Sequence, residues 1–161
     1  MSARVLIGAV ALAALTPAPA EALCVGCGCE VSADDVDFGD YNPLDTAPRT
    51  AVGEVEVRCF SALALLNTTF TLTLSAGASG SQAAREMRFG AHALHYNLYK
   101  EPTHATIFGN GAGGTYAPSV HVVLGVLSSH TYPYPVYAKL PAGQIAPAGD
   151  YADVITALIV F

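Results

Sequence analysis

The alternation of apolar and polar positions is most telling at the carboxy end of the chain. From Tyr151, every second residue through Asp153, Ile155, Ala157, Ile159 and Phe161 shares one face of an extended segment, with Val154, Thr156, Leu158 and Val160 on the other. A Pro- and Gly-bounded turn over 140–149 leads into it, which marks it as the strand that ends the domain. Both faces are largely apolar. That predicts a strand covered on both sides, or one beside a partner, rather than a half-solvated edge.

The same two-residue period recurs upstream. Val31, Val36 and Phe38 alternate with acidic residues as far as Gly39, and residues 41–44 make a turn. Glu54 to Cys59 reads as a half-buried strand with Val55, Val57 and Cys59 inward, and Thr69 to Leu74 repeats it with Phe70, Leu72 and Leu74. A small-residue loop spans 75–80, and Ala83 to Met87 has room for one helical turn at most. Leu94, Tyr96 and Leu98 define a further strand, followed by a turn region at 100–106 and a short apolar Ile107-Phe108. A hairpin loop is expected at Gly109 to Gly114, and a strand at Val120 to Leu127. Tyr132-Pro133-Tyr134-Pro135 is expected as a connection or an edge, because proline lacks the ladder donor, with a short extended Val136 to Leu140 after it. Seven or more short strands with turn signals and no amphipathic helix predict an all-β fold, an antiparallel β-sandwich.

Composition sets the scale. A chain of 161 residues, 52% hydrophobic and 12% charged, supports one sizeable core in one domain. A net charge of −6 with seven Lys and Arg excludes a nucleic-acid partner, since phosphate neutralisation needs a basic surface. The amino terminus has the pattern of a signal peptide over 1–22: Arg4, an apolar run from Val5 to Leu15, a break at Thr16-Pro17, and small residues that suit cleavage after Ala20 or Ala22. The apolar run is too short to span a bilayer, so residues 23–161 are expected as an exported domain with no membrane span.

Export makes disulfides the default state of Cys24, Cys27, Cys29 and Cys59. Three pairings are possible; joining Cys29 to Cys59 closes the long loop and leaves Cys24 with Cys27. A four-thiolate zinc site and a redox Cys-x-x-Cys both fit the spacing less well, the one for its terminal, glycine-interrupted setting and the other because no helix follows.

Other candidate chemistry is thin. Gly109-x-Gly111-x-x-Gly114 has dinucleotide-fingerprint spacing, yet Thr115-Tyr116-Ala117-Pro118 follows where a helix must begin. His92 and His95 fall on opposite faces of a strand, and His104, His121 and His130 lack partners at metal-site spacing. The acidic stretch Glu30, Asp34, Asp35, Asp37, Asp40 and Asp45 does not follow an EF-hand order. No nucleophile elbow occurs, since Gly77-Ala78-Ser79-Gly80-Ser81 is out of register. The residues indicate neither an enzyme nor a cofactor.

Four segments together resemble one family, the spore coat protein U domain shared by subunits of archaic (Csu-type) chaperone-usher pili. They are Cys29-Glu30-Val31-Ser32-Ala33 with Val36-x-Phe38-Gly39-x-Tyr41-x-Pro43 and Cys59; Leu72-x-Leu74-Ser75-Ala76-Gly77 with Arg85-x-Met87; Leu94-x-Tyr96-Asn97-Leu98-Tyr99 with Ile107-Phe108-Gly109; and Pro141-Ala142-Gly143-Gln144 with Ala148-Gly149-x-Tyr151-x-Asp153. The resemblance implies an immunoglobulin-like sandwich lacking its last strand. It also implies a groove filled first by a periplasmic chaperone and then by a neighbouring pilin subunit, with delivery through an outer-membrane usher to the cell surface. Ile155, Ala157, Ile159 and Phe161 are the expected lining of that strand-acceptor groove. One departure stands out: after cleavage at Ala22 only Leu23 to Gly28 precede Cys29, too short and glycine-rich to serve as a donor strand. The pattern therefore suggests a subunit that accepts a strand without donating one, at a fibre end or in a minor position. The competing expectation is a free secreted module binding glycan or metal through Tyr132 to Tyr137 or the acidic stretch.

Overall fold

The computed structural model describes residues 2–9 and 26–161. Their secondary structure is strand throughout, apart from two single 3-10 turns at Gly77–Ser79 and Ala112–Gly114. Ten strands form two layers. One contains β2 (Cys27–Ala33), β4 (Arg49–Ser61), β9 (Ser128–Leu140) and β7 (His92–Tyr99), in that order. The other contains β3 (Val36–Asp40), β1 (Ser2–Ala9) and β10 (Asp150–Val160); β6 (Arg85–Phe89) and β5 (Leu66–Leu74) pair with opposite ends of β10, and β8 (Ser119–Leu124) lies beyond β5. The β6–β7 hairpin joins the layers, so the sheet curls over a single core.

Period-two patterning explains the layers. Val55, Val57 and Cys59 of β4, Phe70, Leu72 and Leu74 of β5, and Leu94, Tyr96 and Leu98 of β7 all point into the core. β2 and β3 are two halves of one run that crosses from layer to layer at Asp34-Asp35, where the Asp34 amide donates to the Glu54 carbonyl at 2.9 Å. Cys29 and Cys59 stand directly opposite in the β2–β4 ladder with Cα atoms 4.0 Å apart, and they are bonded. Cys27 is also disulfide-bonded, while Cys24 lies outside the described residues.

Several sequence expectations give way to tertiary pairing. Residues from Arg85 onward, where at most a helical turn was expected, form β6, because Arg85 to Phe89 find ladder partners in Tyr96 to His92. Pro133 and Pro135 lie inside a 13-residue strand that absorbs Val136 to Leu140. They are tolerated because β9 pairs with β4 along its whole length but with β7 only at Tyr137–Lys139. Two prolines spaced by two turn their missing donors to the same side, the open one. The strand expected to reach Leu127 stops at Leu124, and Leu127 takes a left-handed turn conformation with φ 57°. Residues 109–114 do not close a hairpin, since their flanks Phe108 and Tyr116 bridge in parallel. A Cβ on Gly109 would come within 2.7 Å of Gln82 Oε1 and Thr115 Oγ1, so close packing accounts for that glycine.

β10 also departs from expectation. Its inner face, Tyr151, Asp153, Ile155, Ala157 and Ile159, is buried, whereas Val154 on the outer face is 58% exposed. No second layer covers that face among the described residues. The strand is central in its sheet, with neighbours along both edges, and its outer apolar side chains Val154 and Val160 stay half exposed.

Candidate functional site

The position beside β10 that a strand must occupy is filled from the far end of the chain. β1 lies between β10 and β3. It runs parallel to β10, with Ser2 opposite Asp150 through to Ala9 opposite Ala157, and antiparallel to β3, with Val5 opposite Val36. β3 has no other ladder partner among the described residues. Ala3, Val5 and Ile7 alternate into the core, while Arg4 and Gly8 face outward. Burial of Val5 and Ile7 contributes about 1.5–3 kcal/mol each. Arg4 Nε lies 3.1 Å from Asp37 Oδ2, a solvent-exposed pair worth about 0–1 kcal/mol that fixes alignment more than stability. Val36 and Phe38, two apart on β3, both point inward on one side of β1, and the β1–β3 register shifts beside Phe38.

The opposite side belongs to β10. Ile155 and Ala157 stand beside Ile7 and Ala9, and both are fully buried. Ile159 is buried too, but it lies past the end of β1 and pairs with Leu72 of β5. Phe161, expected in the same row, follows the last ladder residue and is 68% exposed. The row beside β1 extends the other way instead, to Tyr151 and Asp153 opposite Ala3 and Val5. Alternation had placed these residues on the correct face, as it had Val36 and Phe38. What it lacked was any indication of which strand stands across from them.

Behind this edge a buried polar cluster holds β10 in place. Asp153 Oδ2 accepts from the Tyr96 hydroxyl at 2.7 Å, and Oδ1 accepts from the amides of Ala78 and Val154, each at 2.8 Å. Arg85, fully buried, donates to Asn97 Oδ1 at 2.7 Å, to the Ser75 carbonyl from Nε and Nη2 at 3.1 and 2.8 Å, and to the Phe108 carbonyl at 2.9 Å. Burial lowers the Arg85 pKa to about 10, against the opposing pull of Tyr96, Asp153 and Tyr99. The Tyr96 phenol is pushed well up by burial and by its bond to Asp153. Gly77, with φ +67°, sits where a Cβ would overlap the Asp153 carboxylate. Residues that look scattered in sequence thus meet at one place: Gly77, Arg85, Tyr96, Asn97 and Asp153.

A second cluster anchors the turn before β10. The Tyr41 hydroxyl donates to the Pro141 carbonyl at 3.1 Å and accepts from the Gln144 amide at 2.8 Å. The Gln144 side chain pairs with both backbone groups of His95, accepting at 2.7 Å and donating at 2.9 Å, much as a neighbouring strand would.

The other candidates disperse. Glu30 pairs with Arg58, Asp37 with Arg4 and Asp45 with Arg49, so the acidic stretch does not converge on one point. His92 and His95 occupy opposite faces of β7, His121 Nε2 lies 2.7 Å from Asn67 Oδ1, and His104 and His130 pack edge-on to Tyr99 and Tyr132. Among the described residues no three His, Cys, Asp or Glu side chains come together as metal ligands. Tyr132 packs on Phe70 with ring centres 5.6 Å apart, and Tyr134 is half-buried, so these rings seal the core on the open side of β9. The small residues from Ala18 to Ala22, where cleavage was expected, lie outside the described residues.

The complex of the chaperone CsuC with the tip adhesion subunit CsuE, from the archaic chaperone-usher Csu pili of Acinetobacter baumannii, aligns with a TM-score of 0.49 and 22% identity. That alignment covers 84% of this chain and 40% of the matched one, so the chain spans less than half of that protein's length. Protein U of Myxococcus xanthus is 34% identical over 134 residues, 78% of this chain and 71% of that protein. The family model for the Spore Coat Protein U domain matches residues 16–158, which takes in every strand from β2 to β9, both polar clusters and nearly all of β10. The chain belongs to the Spore Coat Protein U domain family.

Proposed function

We propose that this protein is an exported structural subunit of a surface pilus or coat, and that its cleft between β10 and β3 accepts a strand from a partner. The observation that carries this reading is the seat of β1. An eight-residue segment, outside the run from β2 to β10, completes the sheet and fills the core with every second side chain. This is the physics of strand addition: ladder hydrogen bonds supply general attraction, and alternate pockets supply selectivity. With residues 1–22 removed as a leader, β3 would lose its ladder partner, and the apolar banks at Val36, Phe38, Ile155 and Ala157 would need a cover. A periplasmic chaperone is the partner expected first, then a neighbouring subunit, with an usher as the exit route.

A terminal or minor place in the assembly follows from the other end. Cys27 and Gly28 already pair with Ser61 and Phe60 in the β2–β4 ladder. That leaves only Leu23 to Gly26 ahead of the domain after cleavage at Ala22. The subunit therefore receives a strand and has none to give. The role is structural, with no reaction assigned to it. Periplasmic expression with and without a cognate chaperone tests the proposal. Recovery as a one-to-one complex, and loss of yield without the chaperone, is the expected result. A stable lone monomer of residues 23–161 that refolds reversibly would overturn it.

A further inference from the structure

We propose that residues 2–9 act in cis as a strand plug, closing the cleft in the uncleaved chain so that removal of the leader is the step that opens it. This rests on the acceptor reading above and on residues 1–22 being a leader. The leader and the plug are the same residues because the two roles ask for compatible chemistry. A leader needs a basic residue ahead of an apolar run, and β1 supplies Arg4 before Val5 and Ile7. A plug needs alternate side chains that fit the core, and Ala3, Val5 and Ile7 are buried there in one continuous register. Arg4 adds an outward contact with Asp37 that orients the strand against β3.

Covalent attachment makes such a plug hard to displace. β1 and β2 belong to one chain, and linkage of this kind gives a local concentration on the order of 1 mM. A partner strand present at about 1 μM would have to bind roughly a thousandfold more tightly to win the cleft. Uncleaved chain would consequently fold closed and stay out of the assembly. Once cleaved, the same domain offers its cleft to the first strand it meets.

The test uses the full chain, produced without export under oxidising conditions. It compares the wild type with Val5→Asp/Ile7→Asp and with the milder Val5→Ala/Ile7→Ala. The probe is a labelled synthetic peptide with the sequence of residues 2–9, followed by fluorescence anisotropy, with hydrogen exchange read over 36–40 and 150–157. The wild type should protect both segments and bind the peptide at least a hundredfold more weakly than the Asp variant. Should the Asp variant not fold, the Ala variant carries the test, with binding about tenfold tighter than the wild type. Equal, measurable binding by wild type and variants would overturn the plug while leaving the acceptor reading intact. Destabilised variants that bind no peptide would make β1 an ordinary structural strand and overturn both.

Discussion

Replacing Asp153 by alanine should be among the most damaging single changes in this molecule. Asp153 is 4% exposed and its carboxylate accepts three hydrogen bonds, from Tyr96 Oη, Ala78 N and Val154 N. Truncation strands the Tyr96 hydroxyl, which is itself buried, whereas the amide of exposed Ala78 in the 77–79 turn is left to water. Each buried donor left without a partner costs about 1–3 kcal/mol. Loss of the negative charge also removes an attraction that helps to keep buried Arg85 charged. The expected total is about 2–4 kcal/mol, a substantial part of the roughly 5–15 kcal/mol that holds a domain folded. Equilibrium urea unfolding of the full chain, disulfides intact, measures it. Tyr96→Phe should cost about 1.5–3 kcal/mol alone and much less when Asp153 is already gone, because the two share one hydrogen bond. A loss below about 1 kcal/mol for Asp153→Ala, or additivity of the two changes, would refute the assignment of this cluster as the anchor of β10.

Gly77→Ala should cost at least about 2 kcal/mol, combining the left-handed penalty of about 1–2 kcal/mol with overlap of the Asp153 carboxylate. The overlap part should vanish in an Asp153→Ala background, which the same unfolding series reports. Removing the Cys29–Cys59 bond as a double alanine variant should cost about 3.6 kcal/mol for the 30-residue separation it closes, seen as a lower urea midpoint with a steeper slope, because the released unfolded chain exposes more surface. Stability should also depend on alkaline pH through Tyr134. Its phenol is pushed up to about 12 by burial and by neighbouring Tyr116 and Tyr132. An acid with a raised folded pKa contributes stability below its unfolded value near 10 and loses it as pH climbs to 12. Tyr134→Phe should therefore flatten the decline between pH 10 and 12, while Arg85, whose lowered value works in the opposite direction, is common to both proteins.

Much of the fold was legible because strands advertise themselves by period two. Val55-x-Val57-x-Cys59 and Phe70-x-Leu72-x-Leu74 could only present one apolar face, and the structure buries those faces. The strongest failures came where pairing partners overrode local pattern. Arg85 to Phe89 has little strand character until it meets Tyr96 to His92, and Pro133-Tyr134-Pro135 reads as a break until one edge is seen to stay open.

For the candidate site the division is sharper. The sequence by itself determined an all-β chain, the inward face of its final strand, and the residues Gly77, Arg85, Tyr96, Asn97 and Asp153 as parts of recognisable motifs. Only the tertiary structure decided that those five meet in one buried cluster, that Ile155 and Ala157 are buried beside β1 while Phe161 is exposed past the end of the strand, and that residues 2–9 pair between β10 and β3. The reason is that alternation sets which way a side chain points relative to its own backbone. Which strand stands opposite depends on long-range register and on the closing of the sheet, and no local stretch of sequence carries that information.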